Sequence, residues 1–319
     1  MARTVRGIED LVAAEIRELG RVVHIGHREV LFRCAAPDAA LALRTADDVF
    51  LVAAEVTGIG HTKADLRTLA DAAEAVDVRR GGNSLDVSAS FLGRRNYTRF
   101  DVEDAVGVPL AAALGVPYRT RRDGRVPPPG GLSWRVTIAD DRAVLALRLA
   151  DRPLHRRDYR VCSRPGSLHP PLAAAVVRLA GPGATLLDPF CGTGTIPMEA
   201  GGHVLAGDRD LAALAAARTN AGGRRITWLT ADAARLPLAD GSIDRVVTNP
   251  PWARQVAPTG ELARHPERFW HELRRVLCGR AVLLLHDADL AGATRAGLTV
   301  IDRRPVRLSG RHAEVVRLR

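Results

Sequence analysis

The chain has 319 residues, and 46% of them are hydrophobic, so its length and composition favour two domains that each bury a core. Its formal net charge is +10, and all of the 46 basic residues except Lys63 are arginine. This excess favours an anionic partner such as nucleic acid, although a solvated basic surface would give the same charge. The sequence has no apolar run long enough to cross a membrane and no signal-peptide core, so we expect a cytoplasmic protein without a membrane partner.

The first half of the chain mixes helical and strand patterns. Apolar spacing predicts helices over 8–19, 39–44, 66–75 and 101–114, and strands over 22–25, 30–32, 49–55, 85–91, 134–139 and 143–149. The last two strands form a predicted hairpin. Residues 119–131 are basic and then proline-rich, which is typical of an exposed loop. The pattern of residues 1–55 predicts a βαββαβ-like module.

The second half alternates strands with helices. Strands are predicted over 185–188, 204–208, 226–230, 245–248 and 281–286, and helices over 172–180, 195–200, 210–220 and 260–277. Two closing strands, at 298–302 and 313–318, have an antiparallel pattern. This alternation predicts an α/β fold, with a mostly parallel sheet covered on both faces and ligands at the carboxyl ends of its strands.

Cysteine and histidine spacing argues against a metal site. The four cysteines, Cys34, Cys162, Cys191 and Cys278, are scattered, and none forms a CxxC pair. The ten histidines show neither HxxxH nor HExxH spacing. We therefore expect no bound metal and no disulfide framework.

The segment Asp188-Pro-Phe-Cys-Gly-Thr-Gly194 joins the end of a predicted strand to the start of a helix. Gly192 and Gly194 carry no Cβ, so the backbone can approach a ligand closely. Asp188, at the strand end, can meet the ammonium group or a water of a zwitterionic amino acid. The segment therefore suits a nucleoside cofactor that carries an amino acid, such as S-adenosylmethionine (SAM).

Two further acids follow the next two predicted strands. Asp208 can accept hydrogen bonds from both ribose hydroxyls, and Asp232 can accept from an adenine amino group. Asp208 would fit NAD as well as SAM. However, Pro197 stands where a dinucleotide motif has its third glycine, and an acid at the start of the loop would sit badly beside a pyrophosphate. For Asp210 a helix N-cap is the better interpretation.

The segment Asn249-Pro250-Pro251-Trp252 follows the fourth predicted strand. The Asn249 side-chain oxygen and the Pro250 carbonyl can accept both hydrogens of an exocyclic amine, which favours a pyramidal, more nucleophilic nitrogen. Pro251 stiffens the turn, and Trp252 offers a stacking face for an extruded base. The alternative is an Asn-Pro turn with a core tryptophan. Its place after a Val-Val strand, beyond the glycine loop, favours methyl transfer from SAM to a nucleobase nitrogen.

Cys191 raises a different possibility, a cysteine nucleophile as in carbon-5 pyrimidine methylation. That chemistry needs a thiol beside the base, whereas Cys191 lies in the cofactor loop. We therefore predict that Cys191 is a small packing residue.

The chain resembles the THUMP-domain RNA methyltransferases that make N2-methylguanosine. The resemblance covers nearly the whole length and rests on the opening helix at 4–12, the strand and helix at 91–107, the leading segment at 153–160, and the motifs at 188–194 and 249–252. The family usually has tyrosine or phenylalanine and then glycine after the two prolines, where this chain has Trp252 and Ala253. These two departures affect base fit and loop flexibility.

The resemblance implies a domain order. It places a ferredoxin-like module at 1–55, a THUMP RNA-binding domain at 56–152, a linker at 153–170, and a Rossmann-like methyltransferase domain with a seven-stranded, mostly parallel sheet at 171–319. It also implies a SAM site and a catalytic set. The cofactor-binding residues would be Asp188, Phe190, Gly192, Thr193, Gly194, Asp208, Asp232 and Ala233, and the catalytic residues would be Asn249, Pro250, Pro251 and Trp252.

The resemblance further implies that the THUMP half binds the acceptor end of tRNA. The residues to which this role would fall are Arg94, Arg95, Asn96 and Arg99, although a solvated strand–helix corner explains them too. Three other activities stay open: guanine-N2 methylation of ribosomal RNA, adenine-N6 methylation of nucleic acid, and RNA binding without catalysis. We expect a monomer.

Overall fold

A computed structural model describes residues 1–78, 80–251, 259–286, 290–308 and 310–319 of the chain. The described chain divides into two compact units. The first contains Met1–Ala2, Cys34–Ala42 and Asp48–Pro153, and the second contains Arg3–Arg33, Leu43–Asp47 and Leu154–Arg319. The domain boundaries expected from the resemblance stay predictions.

The N-terminal elements are short. They are β1 (Ala2–Arg3), α1 (Glu9–Ile16), β2 (Arg21–Gly26), β3 (Glu29–Arg33) and a 3-10 helix at Pro37–Ala42. Strands β2 and β3 pair as an antiparallel hairpin. The helix predicted at 39–44 is thus a 3-10 helix that begins two residues earlier. The assignment of a ferredoxin-like module stays a prediction.

The first unit is built on a four-strand arrangement backed by two helices. Its elements are β4 (Asp48–Val56), a 3-10 turn (Lys63–Asp65), α2 (Leu66–Glu74), β5 (Leu85–Phe91), α3 (Arg99–Leu114), β6 (Leu132–Ala139) and β7 (Arg142–Arg148). The strands lie in the order β4-β7-β6-β5, with β5 parallel to β6 and the other pairs antiparallel. The predicted hairpin is confirmed as β6–β7. Helix α3 starts at a Thr98 cap and ends at Gly115, whose φ of 67° suits glycine.

The second unit contains the alternating elements. They are α4 (Pro170–Ala180), β8 (Thr185–Asp188), α5 (Thr195–Glu199), β9 (His203–Asp208), α6 (Leu211–Ala221), β10 (Thr227–Thr230), β11 (Ile243–Thr248), α7 (Glu261–Arg264), α8 (Glu267–Val276), β12 (Leu277–Leu285), α9 (Ala291–Arg295), β13 (Val300–Leu308) and β14 (Arg311–Leu318). The seven strands lie in the order β10-β9-β8-β11-β12-β14-β13. The first five are parallel, and β14 pairs antiparallel with both neighbours. The predicted Rossmann-like sheet is confirmed.

The helix predicted as one piece over 260–277 is wrong in detail. It divides into α7 and α8, with Pro266 between them. Proline has no N–H to donate within a helix, and its ring disfavours helical geometry in the residue before it. The strand after it also begins at Leu277, four residues earlier than predicted, because 277–280 extend the pairing of β12 with β11.

Candidate active site

A cavity of about 320 Å³ opens at the carboxyl ends of the central strands of the second unit. Strand β8 lies between β9 and β11 in the sheet. The chain passes from β8 to β9 on one edge of β8 and later returns to place β11 along its other edge. Such a reversal leaves a crevice at the strand ends, which is where open α/β sheets bind ligands. Most of its wall comes from residues 164–168, 188–193, 208–210, 231–233 and 249–251.

The loop between β8 and α5 contains two glycines whose backbone is in the left-handed region. Gly192 has φ of 52° and lines the cavity, and a Cβ built on it would meet no heavy atom of the described chain within 4 Å. Gly194 has φ of 83° and does not line the cavity. A Cβ on Gly194 would lie 3.3 Å from the Cβ of Ala217. Gly192 therefore leaves room for a ligand, while Gly194 lets the loop pack closely on α6.

Asp188 is the most deeply buried acid of the cavity wall, with 1% of its surface exposed. The Thr248 hydroxyl donates to its Oδ1 at 2.7 Å, and the Phe190 N–H donates to the same oxygen at 3.2 Å. Burial raises the pKa of Asp188 to about 7 against the lowering effect of these bonds, and the charge of Asp208 adds to the rise. A cationic ligand near neutral pH would therefore favour the ionised form.

The other two predicted acids also line the cavity. Asp208 accepts the N–H of Gly192 on Oδ2 and the N–H of Asp210 on Oδ1, both at 2.9 Å. Asp232 accepts the N–H of Ala234 on Oδ1 at 3.0 Å. A carboxylate oxygen can accept more than one hydrogen bond, so both acids can still receive the hydroxyl or amino groups of a ligand.

Asn249 directly follows the last residue of β11, is half-buried, and lines the same cavity. Its Nδ2 donates to the carbonyl of Gly166 at 3.4 Å, and this orientation leaves Oδ1 as an acceptor. Pro250 and Pro251 also line the cavity, whereas Trp252 lies outside the described residues. The structure thus brings the predicted cofactor and transfer motifs to one cavity.

Residues 164–168 fall within the linker expected at 153–170, and they form one wall of the cavity. The Ser167 hydroxyl lies 3.0 Å from the Thr193 hydroxyl and accepts the N–H of Arg164 at 3.0 Å. The Arg164 guanidinium pairs with Asp210 at 2.8 Å. A signal was present, because a helix that precedes a parallel strand begins at the carboxyl edge of the sheet, and these residues come just before α4.

Asn220, near the end of α6, was also missed by the sequence interpretation. It is 3% exposed, and its Oδ1 accepts the N–H of Cys162 at 2.8 Å. Its Nδ2 donates to the carbonyls of Cys162 and Thr193 at 3.0 and 2.9 Å. One buried amide therefore ties the chain before residue 164 to the cofactor loop. Asp210 caps the other end of α6, since its Oδ1 accepts the N–H groups of Ala212 and Ala213.

Cys191 packs under the loop against Ala206 and Leu214, with 5% of its surface exposed. Burial raises the pKa of its thiol well above the usual value, and the charges of Asp188 and Asp208 add to the rise. A thiol that stays protonated is a poor nucleophile, which agrees with a packing role. Among the residues described, no group of three or more His, Cys, Asp or Glu side chains could hold a metal ion.

The four predicted RNA-binding residues belong to the first unit, and Arg95 differs from the others. It is half-buried, and its guanidinium donates to the carbonyls of Ile59 at 3.1 Å, Gly60 at 2.9 Å, and Asp140. These bonds tie together three separate segments of the unit. The guanidinium is therefore already engaged within the fold.

The other three predicted RNA-binding residues are exposed. Arg94 and Asn96 lie in the turn between β5 and α3, and Arg99 begins α3. The Arg99 guanidinium lies over the ring of Phe100, 4.6 Å from its centroid. Their contact with RNA stays a prediction. No described helix is both long and apolar enough to span a bilayer.

Comparison with known proteins agrees with the motifs. Residues 157–306 match the RMKL-like methyltransferase domain family. The tRNA (guanine(6)-N2)-methyltransferase of Thermus thermophilus is 33% identical over 98% of this chain and 97% of its own length. The crystal structure of TrmN from Thermus thermophilus, at 31% identity, covers 99% of this chain and 98% of its own, with a TM-score of 0.80.

A second kind of relative acts on another RNA. The ribosomal RNA large subunit methyltransferase K/L of Photobacterium profundum is 30% identical over 63% of this chain, a match that covers 28% of its own length. The end-to-end matches confirm the resemblance stated from the motifs, because they extend it from short segments to nearly every residue.

Proposed function

We propose an activity from the premise that the chain belongs to the RMKL-like methyltransferase family. The activity is transfer of a methyl group from SAM to the N2 amine of a guanosine in tRNA. The relative that matches the chain end to end carries the name of that activity. The observation that carries the proposal is the single cavity that Asp188, Asp208 and Asn249 line together.

The residues of the cavity fit SAM. Its ribose hydroxyls suit Asp208, its adenine amino group suits Asp232 with Ala233 beside it, and its ammonium suits Asp188. Within the described part of the chain, hydrogen bonds reach only Oδ1 of Asp188, so Oδ2 can accept from the ligand. Gly192 leaves the space that the amino-acid portion needs. When bound, SAM supplies an electrophilic methyl group on a sulfonium.

The transfer motif fits an aromatic amine. The N2 lone pair of guanine is delocalised into the ring, which makes the nitrogen a poor nucleophile. Asn249 Oδ1 and the Pro250 carbonyl can accept its two hydrogens and favour a pyramidal nitrogen. The Asn249 Nδ2 donates to the Gly166 carbonyl at 3.4 Å, which leaves Oδ1 to accept a hydrogen of the substrate amine. Catalysis is then mainly orientation and electrostatic stabilisation.

A strong general base is not required by this arrangement. The amine proton becomes acidic once the nitrogen has gained a methyl group, so it can leave to an acceptor or to water after transfer. Cys191 is buried within the loop and its thiol stays protonated, so it does not act as a nucleophile. The work of the chain is to bind both reactants, orient the amine, and exclude water from the buried acid Asp188.

The proposal is tested by incubating the protein with labelled SAM and separate pools of unmodified tRNA and ribosomal RNA, followed by mass spectrometry of the nucleosides. We expect N2-methylguanosine in the tRNA pool. Asn249→Ala is the matched inactive control. N6-methyladenosine, or no methylated nucleoside in either pool, would contradict the proposed substrate.

A second candidate is N2 methylation of ribosomal RNA. It is favoured by the similarity to the large subunit methyltransferase K/L, although that match covers 28% of the relative's length. The same experiment separates the two, since label would then appear in the ribosomal pool. A monomeric state and a cytoplasmic location stay predictions.

A further inference from the structure

Thr248 connects the proposed cofactor side of the cavity, at Asp188, with the proposed amine side, at Asn249. It is the last residue of β11 and is joined by a peptide bond to Asn249. Its side chain reaches across to the neighbouring strand β8, where its hydroxyl donates to Asp188 at 2.7 Å. The residue next to the proposed amine-binding side chain is thus bonded to the acid proposed to hold the cofactor.

The bond between Thr248 and Asp188 is buried. Asp188 and Thr248 are each 1% exposed, so the hydrogen bond between them is shielded from bulk water. A hydrogen bond to an ionised acceptor is shorter and stronger than one between neutral groups, and low polarity strengthens it further. The 2.7 Å separation is a normal distance for an O–H···O hydrogen bond.

Few groups around Asp188 can stabilise its ionised carboxylate, and Thr248 supplies one of them. The charge of Asp208, at the end of β9, disfavours a second negative charge on Asp188, and the thiol of Cys191 donates to the carbonyl of Gly192 instead of to Asp188. The Thr248 hydroxyl and the Phe190 N–H are the two groups that donate to Asp188 among the described residues. Both use Oδ1, which holds the carboxylate in one orientation.

We propose that Thr248 is a positioning residue that favours the ionised form of Asp188, orients it for the cofactor and, through the adjoining peptide bond, ties cofactor binding to the placement of Asn249. This inference rests on the proposed function. It assigns to one hydroxyl both a role in binding SAM and a role in presenting the amine site.

The test compares Thr248→Val, which keeps the shape and removes the donor, with Thr248→Ser, which keeps the hydroxyl. SAM affinity is measured by calorimetry from pH 6 to pH 9, without RNA. In the valine variant, the midpoint above which SAM binds tightly should move upward by about 1 to 2 pH units, as expected for loss of a hydrogen bond to a charged group. The serine variant should stay near the wild-type midpoint. Equal midpoints in wild type and valine would overturn the binding role.

The coupling to Asn249 has its own readout. At saturating SAM and at a pH above both midpoints, kcat should still be lower in the valine variant, about 3- to 10-fold, and serine should restore it, because small misplacements of a reacting group are costly. An unchanged kcat would overturn the coupling. Thr248→Ala removes the same hydroxyl and replaces valine if valine does not fold.

The outcomes separate this inference from the proposed function. A pH midpoint that moves in a protein that methylates no tRNA would support the role in binding and refute the proposed substrate. Methylation of tRNA by a wild type whose pH midpoint equals that of the valine variant would support the proposed substrate and refute the role of Thr248 in binding. Failure of the wild type to bind SAM would overturn both.

Discussion

Short sequence motifs predict two functional regions, which we call the cofactor corner (Asp188, Asp208 and Asn249 of the second unit) and the arginine corner (residues 94–99 of the first unit). The two regions differ in how their side chains are used. At the cofactor corner, Asp188, Asp208 and Asn249 line one cavity. At the arginine corner, Arg95 donates to three carbonyls of its own unit, whereas Arg94 and Arg99 are exposed.

The difference lies in what each motif prescribes. At the cofactor corner, residue types are tied to backbone geometry, because an acid at a strand end and a glycine in a left-handed turn fix where a ligand can lie. At the arginine corner, the motif supplies charge alone. An arginine can donate to a phosphate or to carbonyls of its own fold, and its sequence position does not decide between them.

Removal of Asn249 should have the largest effect. Asn249→Ala deletes an acceptor aimed at the amine, so we expect kcat to fall roughly 10²–10³-fold, as for the loss of one preorganised polar contact. Because the side chain is placed on the transfer side, the Kd for SAM should change less than about three-fold, well below the cost of a charged hydrogen bond. Single-turnover kinetics and calorimetry measure the two quantities. Full activity would remove Asn249 from the mechanism.

Asp208 should show the opposite pattern. Asp208→Ala removes the acceptor proposed for the ribose and should weaken SAM binding roughly 10- to 100-fold, since hydrogen bonds to a charged group are lost. Asp208→Asn keeps the shape and one acceptor oxygen, so its Kd for SAM should lie between those of the wild type and the alanine variant. Calorimetry with SAM checks this series. An unchanged Kd in the alanine variant would count against the ribose role.

Asp188 should make the free protein less stable as the pH rises. Its pKa is about 7 in the folded protein against 3.8 ordinarily, so between these values the folded chain holds a proton that the unfolded chain has lost. Stability attributable to this group therefore falls from about pH 4 to about pH 7 and is level above it.

Asp188→Asn removes this loss and keeps both hydrogen bonds, because both reach Oδ1. Without ligand, the Tm of the variant should exceed that of the wild type by a few degrees at pH 8, with little difference at pH 4. The same variant should bind SAM weakly at either pH. Thermal unfolding across this range measures the difference, and a constant offset would contradict the raised pKa.

The arginine corner should give the smallest effects on function. Arg94→Ala and Arg99→Ala should each weaken tRNA binding roughly five-fold at 0.15 M salt and lower the salt slope by about one, as for one lost phosphate contact. Arg95→Ala should instead lower stability by about 1–3 kcal/mol, since three carbonyls lose a charged donor. Filter binding at several salt concentrations and thermal unfolding would distinguish them. Equal behaviour of all three would erase the contrast between these arginines.

The sequence predicted the sheet well because strand–helix alternation leaves few topologies. The strand ends predicted at Asp188 and Asp208 match those of β8 and β9. The split at Pro266 was missed because the apolar pattern continues across it. There the backbone effect of proline outweighs the periodicity.

The missed parts of the site depend on contacts across long distances along the chain. Asn220 reaches back to Cys162, and Ser167 meets Thr193, so neither pair forms a local motif. The bond from Thr248 to Asp188 likewise depends on β11 lying beside β8. Such residues are ordinary polar residues until the sheet order brings their partners near.

The central claim is that one cavity holds the cofactor and presents Asn249 to the amine. A crystal structure of the protein with S-adenosylhomocysteine tests it most directly. We predict the ribose on Asp208, the ammonium on Asp188, and the sulfur on the side of the cavity that Asn249 lines. A ligand bound elsewhere, or one whose sulfur points away from Asn249, would contradict the account.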